Sequence, residues 1–112
     1  MPATVDSVSD VFRAIADPTR RRVIERLSRT PASVSELAEP FDMALPSFVA
    51  HLRVLEDSGL VTSSKRGRVR TYQLAPARLR QAEHWLVRQR QLWEDRLDQF
   101  DAYVTALHKR QP

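Results

Sequence analysis

Apolar residues along the chain fall into a succession of helical stripes, broken once by a stretch of alternating spacing. Val8, Val11, Phe12 and Ile15 mark one face of a helix from about Ser7 to Ala16. Asp17 then caps a second helix that opens with Pro18 and buries Val23, Ile24 and Leu27, the arrangement in which proline takes the first helical position. Thr30-Pro31-Ala32 breaks it. Ser33-Val34-Ser35-Glu36 has the form of a capping box and predicts a short third helix with Val34, Leu37 and Ala38 inward. After a turn from Pro40 to Ala44, the stretch Leu45–Val61 predicts a bracketed helix. Phe48, Leu52 and Leu55 line one of its faces, Pro46 marks its first turn, and Gly59 supplies the left-handed residue that stops it, with Leu60 packing back. The period then changes from 3.6 to 2. Val61, Ser63 and Lys65, then Val69, Thr71 and Gln73, belong to two short strands joined at Arg66-Gly67. From Pro76 to about His108 the period returns to helical, with no glycine or proline inside.

That last helix carries Leu79, Leu86, Trp93, Phe100 and Leu107 at seven-residue spacing, widened by Leu97 and Val104 on one side and Trp85 and Leu92 on the other. Some thirty residues of helix span about 45–50 Å. A domain of this size does not cover such a stripe, so it calls for a partner, most simply the same helix of a second subunit. Only Lys109 to Pro112 is expected to be disordered.

Charge changes the picture more than composition does. The net charge is +4. Residues 1–59 carry seven basic and nine acidic side chains, residues 81–112 carry five of each, and residues 60–80 carry six basic side chains with no acid. The whole excess therefore sits at Lys65, Arg66, Arg68, Arg70, Arg78 and Arg80, around the predicted hairpin. A charge run alone is more often a solvated loop. A local basic stripe beside two short helices joined by a tight turn, the second polar outside at Ser47, His51 and Arg53, implies a polyanion gripped at a defined place.

Other chemistries find little to build on. There is no cysteine, hence no disulfide, thiolate ligand or cysteine nucleophile. Gly59 and Gly67 are the only glycines, which excludes a glycine-rich phosphate loop. No carboxylate–histidine–hydroxyl set stands out, so no enzyme is expected, and no cofactor or metal site either. Asp98 and Asp101 share a helical face, but Arg96 and solvent are simpler partners for them than a cation. Trp85 and Trp93 are read as packing before they are read as an effector pocket. No apolar run is long enough to cross a membrane, and MPATVDSVSD lacks the regions of a signal peptide, so the expected location is cytoplasmic.

Taken together, VFRAIADPTRRRVIERL (11–27), VSELAEPFDMALPSFVAHLRVLEDSGLV (34–61) and the basic hairpin to Leu74 resemble the ArsR/SmtB family of winged-helix repressors. The resemblance covers about residues 8–75 in motif detail and the rest through the final helix. It implies a mainly α chain with a small β-hairpin: a single winged helix-turn-helix domain over 1–112, with the helix-turn-helix at about 33–59, the wing at about 60–74 and a dimerisation helix at about 76–108. It implies a homodimer whose first and last helices form the interface, through Val8, Val11, Phe12, Leu86, Trp93, Leu97 and Phe100. It implies double-stranded DNA as the partner, touched by Ser47, Phe48, Ala50, His51 and Arg53 on the recognition helix and by Lys65, Arg66, Arg68 and Arg70 in the wing. The function implied is a sequence-specific repressor of a palindromic operator. The alternatives are a winged-helix module that binds protein, or a metal-responsive sensor. Against the sensor, SVSELAEPF lacks the family's cysteine pair, and His84 and His108 lack the context of its other metal sites. Two further departures are Ala50, where the family prevalently has serine before the motif histidine, and Ala44, where a capping serine is common. No effector is named by any residue.

Overall fold

Capping signals close to one another in sequence set most of the element boundaries. The computed structural model describes the backbone of residues 3–110 and the side chains of residues 7–110. Its elements are α1 (Ala3–Ile15), α2 (Pro18–Leu27), β1 (Ala32–Ser33), α3 (Val34–Ala38), α4 (Leu45–Asp57), β2 (Val61–Arg66), β3 (Val69–Leu74) and α5 (Pro76–Arg110). Asp17 caps α2 by accepting the Arg20 amide at 3.0 Å. Ser33 and Glu36 close a reciprocal capping box at α3. Helix α4 ends as its sequence predicts. Gly59 has φ +79°, and the Leu60 amide reaches back to the Leu55 carbonyl at 3.1 Å. A side chain at Gly59 would also strike the Arg78 stem, whose Cγ lies 2.8 Å from an added Cβ.

The helix-turn-helix and wing form the winged helix-turn-helix fold, with one addition to the expected hairpin. The sheet has three antiparallel strands in the order β1-β3-β2, with Ala32 opposite Tyr72 and Ser33 opposite Thr71. Ala32, predicted as part of a break, and Ser33, predicted as a helix cap, thus add a third strand to the wing. At its tip Arg66 pairs with Val69, so the loop is Gly67-Arg68. Gly67 alone has positive φ there (+60°), at the first central position, as in a type II′ turn.

The chain divides into two units, one ending at Ala82 and one starting at Glu83. In the first, Val11 and Ala14 of α1, Val23 and Leu27 of α2, Leu37, Phe48, Leu52, Leu55, Leu60, Val61 and Tyr72 share one core. Phe48, Leu52 and Leu55 are fully buried. Each such side chain stabilises the fold by roughly 1.5–3 kcal/mol. Val11 is fully buried too, so it packs inside its own chain and cannot present itself to a partner. Burial lifts the Tyr72 hydroxyl above its ordinary acidity range.

The second unit is the remainder of α5, a helix of 35 residues in all, or about 52 Å long. It reaches Arg110, so Lys109 and Arg110 are helical where disorder was expected, while the same expectation for Gln111 and Pro112 falls outside the described residues. Its apolar stripe is exposed: Trp93 at 67%, Leu97 and Phe100 at 62%, and Leu86 at 51%.

Candidate nucleic-acid interface

Helix α4 is fixed from below and open above. Its buried face enters the core through Phe48, Leu52 and Leu55, and Phe48 is braced by the Phe41 ring at 5.3 Å, over which the Arg22 guanidinium lies at 4.4 Å. Phe48 therefore supports the helix from within and is withdrawn from the DNA-contacting set, because no part of it reaches the surface. Ser47, Ala50 and Arg53 are exposed, as expected of a reading face. The Arg53 side chain makes no hydrogen bond or ion pair among the described residues. No side chain caps the helix start at Ala44.

His51 stands at the flank of that face and is half-buried. Its Nδ1 lies 3.1 Å from Arg20 Nη1 and 3.8 Å from Asp17 Oδ2. A guanidinium only donates, so this contact needs the tautomer of His51 in which Nδ1 accepts and Nε2 carries the proton. Arg20 also donates from Nε to the Ala14 carbonyl (2.7 Å) and from Nη2 to the Arg13 carbonyl (3.1 Å). One guanidinium thus closes the C-terminal end of α1, whose last carbonyls lack helical partners, and ties it to α4. The Arg20 amide holds the Asp17 carboxyl below its ordinary range, and the charge of His51 when protonated and that of Arg20 act in the same direction.

The wing divides its cations into two kinds. Lys65, Arg66 and Arg68 are exposed at the tip, and their side chains make no hydrogen bond or ion pair among the described residues. Arg70 is exposed as well, but it donates to Ser63 Oγ (2.8 Å), and Ser63 donates to Glu56 Oε1 (2.6 Å). This relay joins the last turn of α4 to both wing strands and sets the angle between helix and wing. Arg70 thereby serves the frame of the site, with less of its fork left over than its three neighbours. Among the described residues no group of three or more His, Cys, Asp or Glu side chains gathers as a metal site.

The helix-turn-helix domain family matches residues 15–64. The transcriptional repressor SdpR of Bacillus subtilis (strain 168) is 29% identical over 80 residues, 71% of this chain and 89% of SdpR. The crystal structure of an ArsR family transcriptional regulator is similar at a TM-score of 0.76 and 55% identity, covering 79% of this chain and 97% of the other. This chain belongs to the ArsR family of transcriptional regulators. The chain is also similar to the homodimeric winged helix-turn-helix DNA-binding domain of Mb0332 from Mycobacterium bovis, a possible ArsR-family transcriptional regulator, at 26% identity and a TM-score of 0.63 over 80% of this chain and 85% of the other.

In this ArsR-family chain the residues that the sequence pattern missed are those acting at a distance. Arg20 and His51 are 31 positions apart, and Glu56 meets Ser63 only because the chain reverses at Gly59. The D-P-T-R run signalled its cap through Asp17 and Pro18, but nothing local announced the contacts of Arg20. Among the expected dimer residues, Val8 and Phe12 are half-buried and Leu86, Trp93, Leu97 and Phe100 are exposed, whereas Val11 is interior.

Proposed function

We propose that this ArsR-family regulator is a homodimeric repressor that holds a palindromic operator with α4 in the major groove and the wing tip on adjacent phosphates. The observation that carries the reading is the pairing of one open helix face, at Ser47, Ala50 and Arg53, with three uncommitted wing cations, Lys65, Arg66 and Arg68. Phosphate contacts supply orientation and most of the affinity, and groups on α4 supply discrimination. His51 donates only from Nε2, toward a phosphate or a base acceptor. Arg53 is the one long fork on the face, and a bidentate pair with guanine discriminates by about 1–3 kcal/mol.

Dimerisation rests on the exposed Leu86, Trp93, Leu97 and Phe100, with Val8 and Phe12 beside them in the interface set, and on the homodimeric state of the Mycobacterium bovis domain. A two-fold dimer sets its recognition helices about 34 Å or a multiple apart, which matches a palindrome. Repression follows if the operator overlaps a promoter, and SdpR, a repressor by name, supports that direction. Such a repressor needs no catalytic step and works in the cytoplasm beside its DNA. No helix among the described residues is long and apolar enough to cross a membrane.

Selection of bound fragments from genomic DNA tests it. The expected product is a palindrome overlapping a promoter, bound with an affinity that falls steeply with salt. Enrichment of no sequence, or binding indifferent to salt, would reject the DNA reading in favour of a protein-binding module.

A further inference from the structure

The outward face of α4 carries few hydrogen-bonding groups, and that chemistry narrows what it reads. At helical spacing, Pro46, Ser47, Ala50, Arg53, Val54 and Asp57 form the exposed stripe opposite Phe48, Leu52 and Leu55. Its middle is apolar. Val54 is 39% exposed, and Ala50 and Pro46 are exposed beside it. The only long hydrogen-bonding side chain on it is Arg53, and the only short one is the Ser47 hydroxyl. The charge at its end is the wrong one for phosphate: Asp57 is exposed and makes no ion pair among the described residues.

In the major groove, guanine, adenine and cytosine offer hydrogen-bonding groups, whereas thymine adds a methyl group to its single acceptor. An Ala50–Val54 surface pressed against a cytosine would bury the amino group of that base without an acceptor, which is unfavourable. Against a thymine the same surface buries a methyl group. Asp57 keeps the C-terminal end of α4 away from the backbone, so the docked part is the segment from Pro46 to Val54. We infer that Ala50 and Val54 are specificity-determining residues that select thymine by its 5-methyl group, next to a purine or phosphate held by Arg53. The inference rests on α4 being the major-groove helix. Arg53 within this face, and the exposed Lys65, Arg66 and Arg68 of the wing, favour a polyanion as its occupant over an apolar protein surface.

Deoxyuridine differs from thymidine only in lacking that methyl group, so it provides the test. With the operator recovered by selection, each thymine of a half-site is replaced in turn by deoxyuridine and affinity is measured by fluorescence anisotropy. One or two positions per half-site should lose about fourfold each, the value of one buried methyl group. Val54→Ala and Ala50→Ser, both changes of exposed side chains, should shrink the loss at one of those positions each. An operator indifferent to deoxyuridine at every thymine overturns the inference while leaving the DNA reading in place. A deoxyuridine penalty unchanged in both variants overturns the assignment to these two residues. Absence of any sequence-selective binding removes the DNA reading itself, and this inference with it.

Discussion

The two units treat the same kind of residue in opposite ways. Up to Ala82 the helical stripes are closed: Phe48, Leu52 and Leu55 are fully buried and Leu37 is 2% exposed. From Glu83 on, a stripe of equally large apolar side chains is open, with Trp93 at 67% exposure and Phe100 at 62%. Hydrophobic period reveals that a face will be covered, but not by what. The first unit has a core of its own. The second exposes more large apolar surface than a lone helix keeps in water, which is the mark of a partner.

The largest expected effect tests the closed side of that contrast. Leu52→Ala should destabilise the fold by about 2–5 kcal/mol, read as a lower urea midpoint. A loss below about 1 kcal/mol would mean that α4 is not anchored as described. On the open side, Trp93→Ala should leave the core intact and weaken self-association by about 2 kcal/mol, as removal of an aromatic anchor does. Sedimentation at rising concentration reads it, and an unchanged dimer constant would detach Trp93 from the interface.

How far the sequence carried depended on the range of each interaction. The Asp17 cap, the Ser33–Glu36 box, the Gly59 stop and the Gly67 turn are formed by residues within five positions of one another, and all were legible. Strand β1 was not, because two residues have no period and its pairing with Tyr72 and Thr71 is long-range. The Arg20–His51 contact escaped for the same reason. The expected interface sets include Val11 and Phe48, although both point into the core. A helix stripe is wide enough to serve the core with one edge and the surface with the other, and spacing alone does not say where the division falls.

Smaller effects sharpen the reading head. Asp17→Ala should lower stability by about 1 kcal/mol at neutral pH. The Asp17 carboxyl is more acidic folded than its ordinary value of 3.8. Its contribution is therefore complete above that value and disappears as pH falls through the lower folded one, so wild type and variant should converge in acid. Convergence at alkaline pH would contradict the cap. Arg68→Ala should weaken binding to all DNA sequences alike and reduce the salt slope by about one for each phosphate no longer neutralised, about two per dimer. An unchanged slope would take Arg68 off the phosphates.

In the proposed assembly, a second copy joins the closed reading head through the open helix. Affinity for the full palindrome against a single half-site tests this most directly, with the number of chains bound counted by sedimentation of the complex. Two chains on the palindrome and far weaker binding to the half-site are expected. Equal affinity for both, with one chain on each, would contradict the dimeric reading.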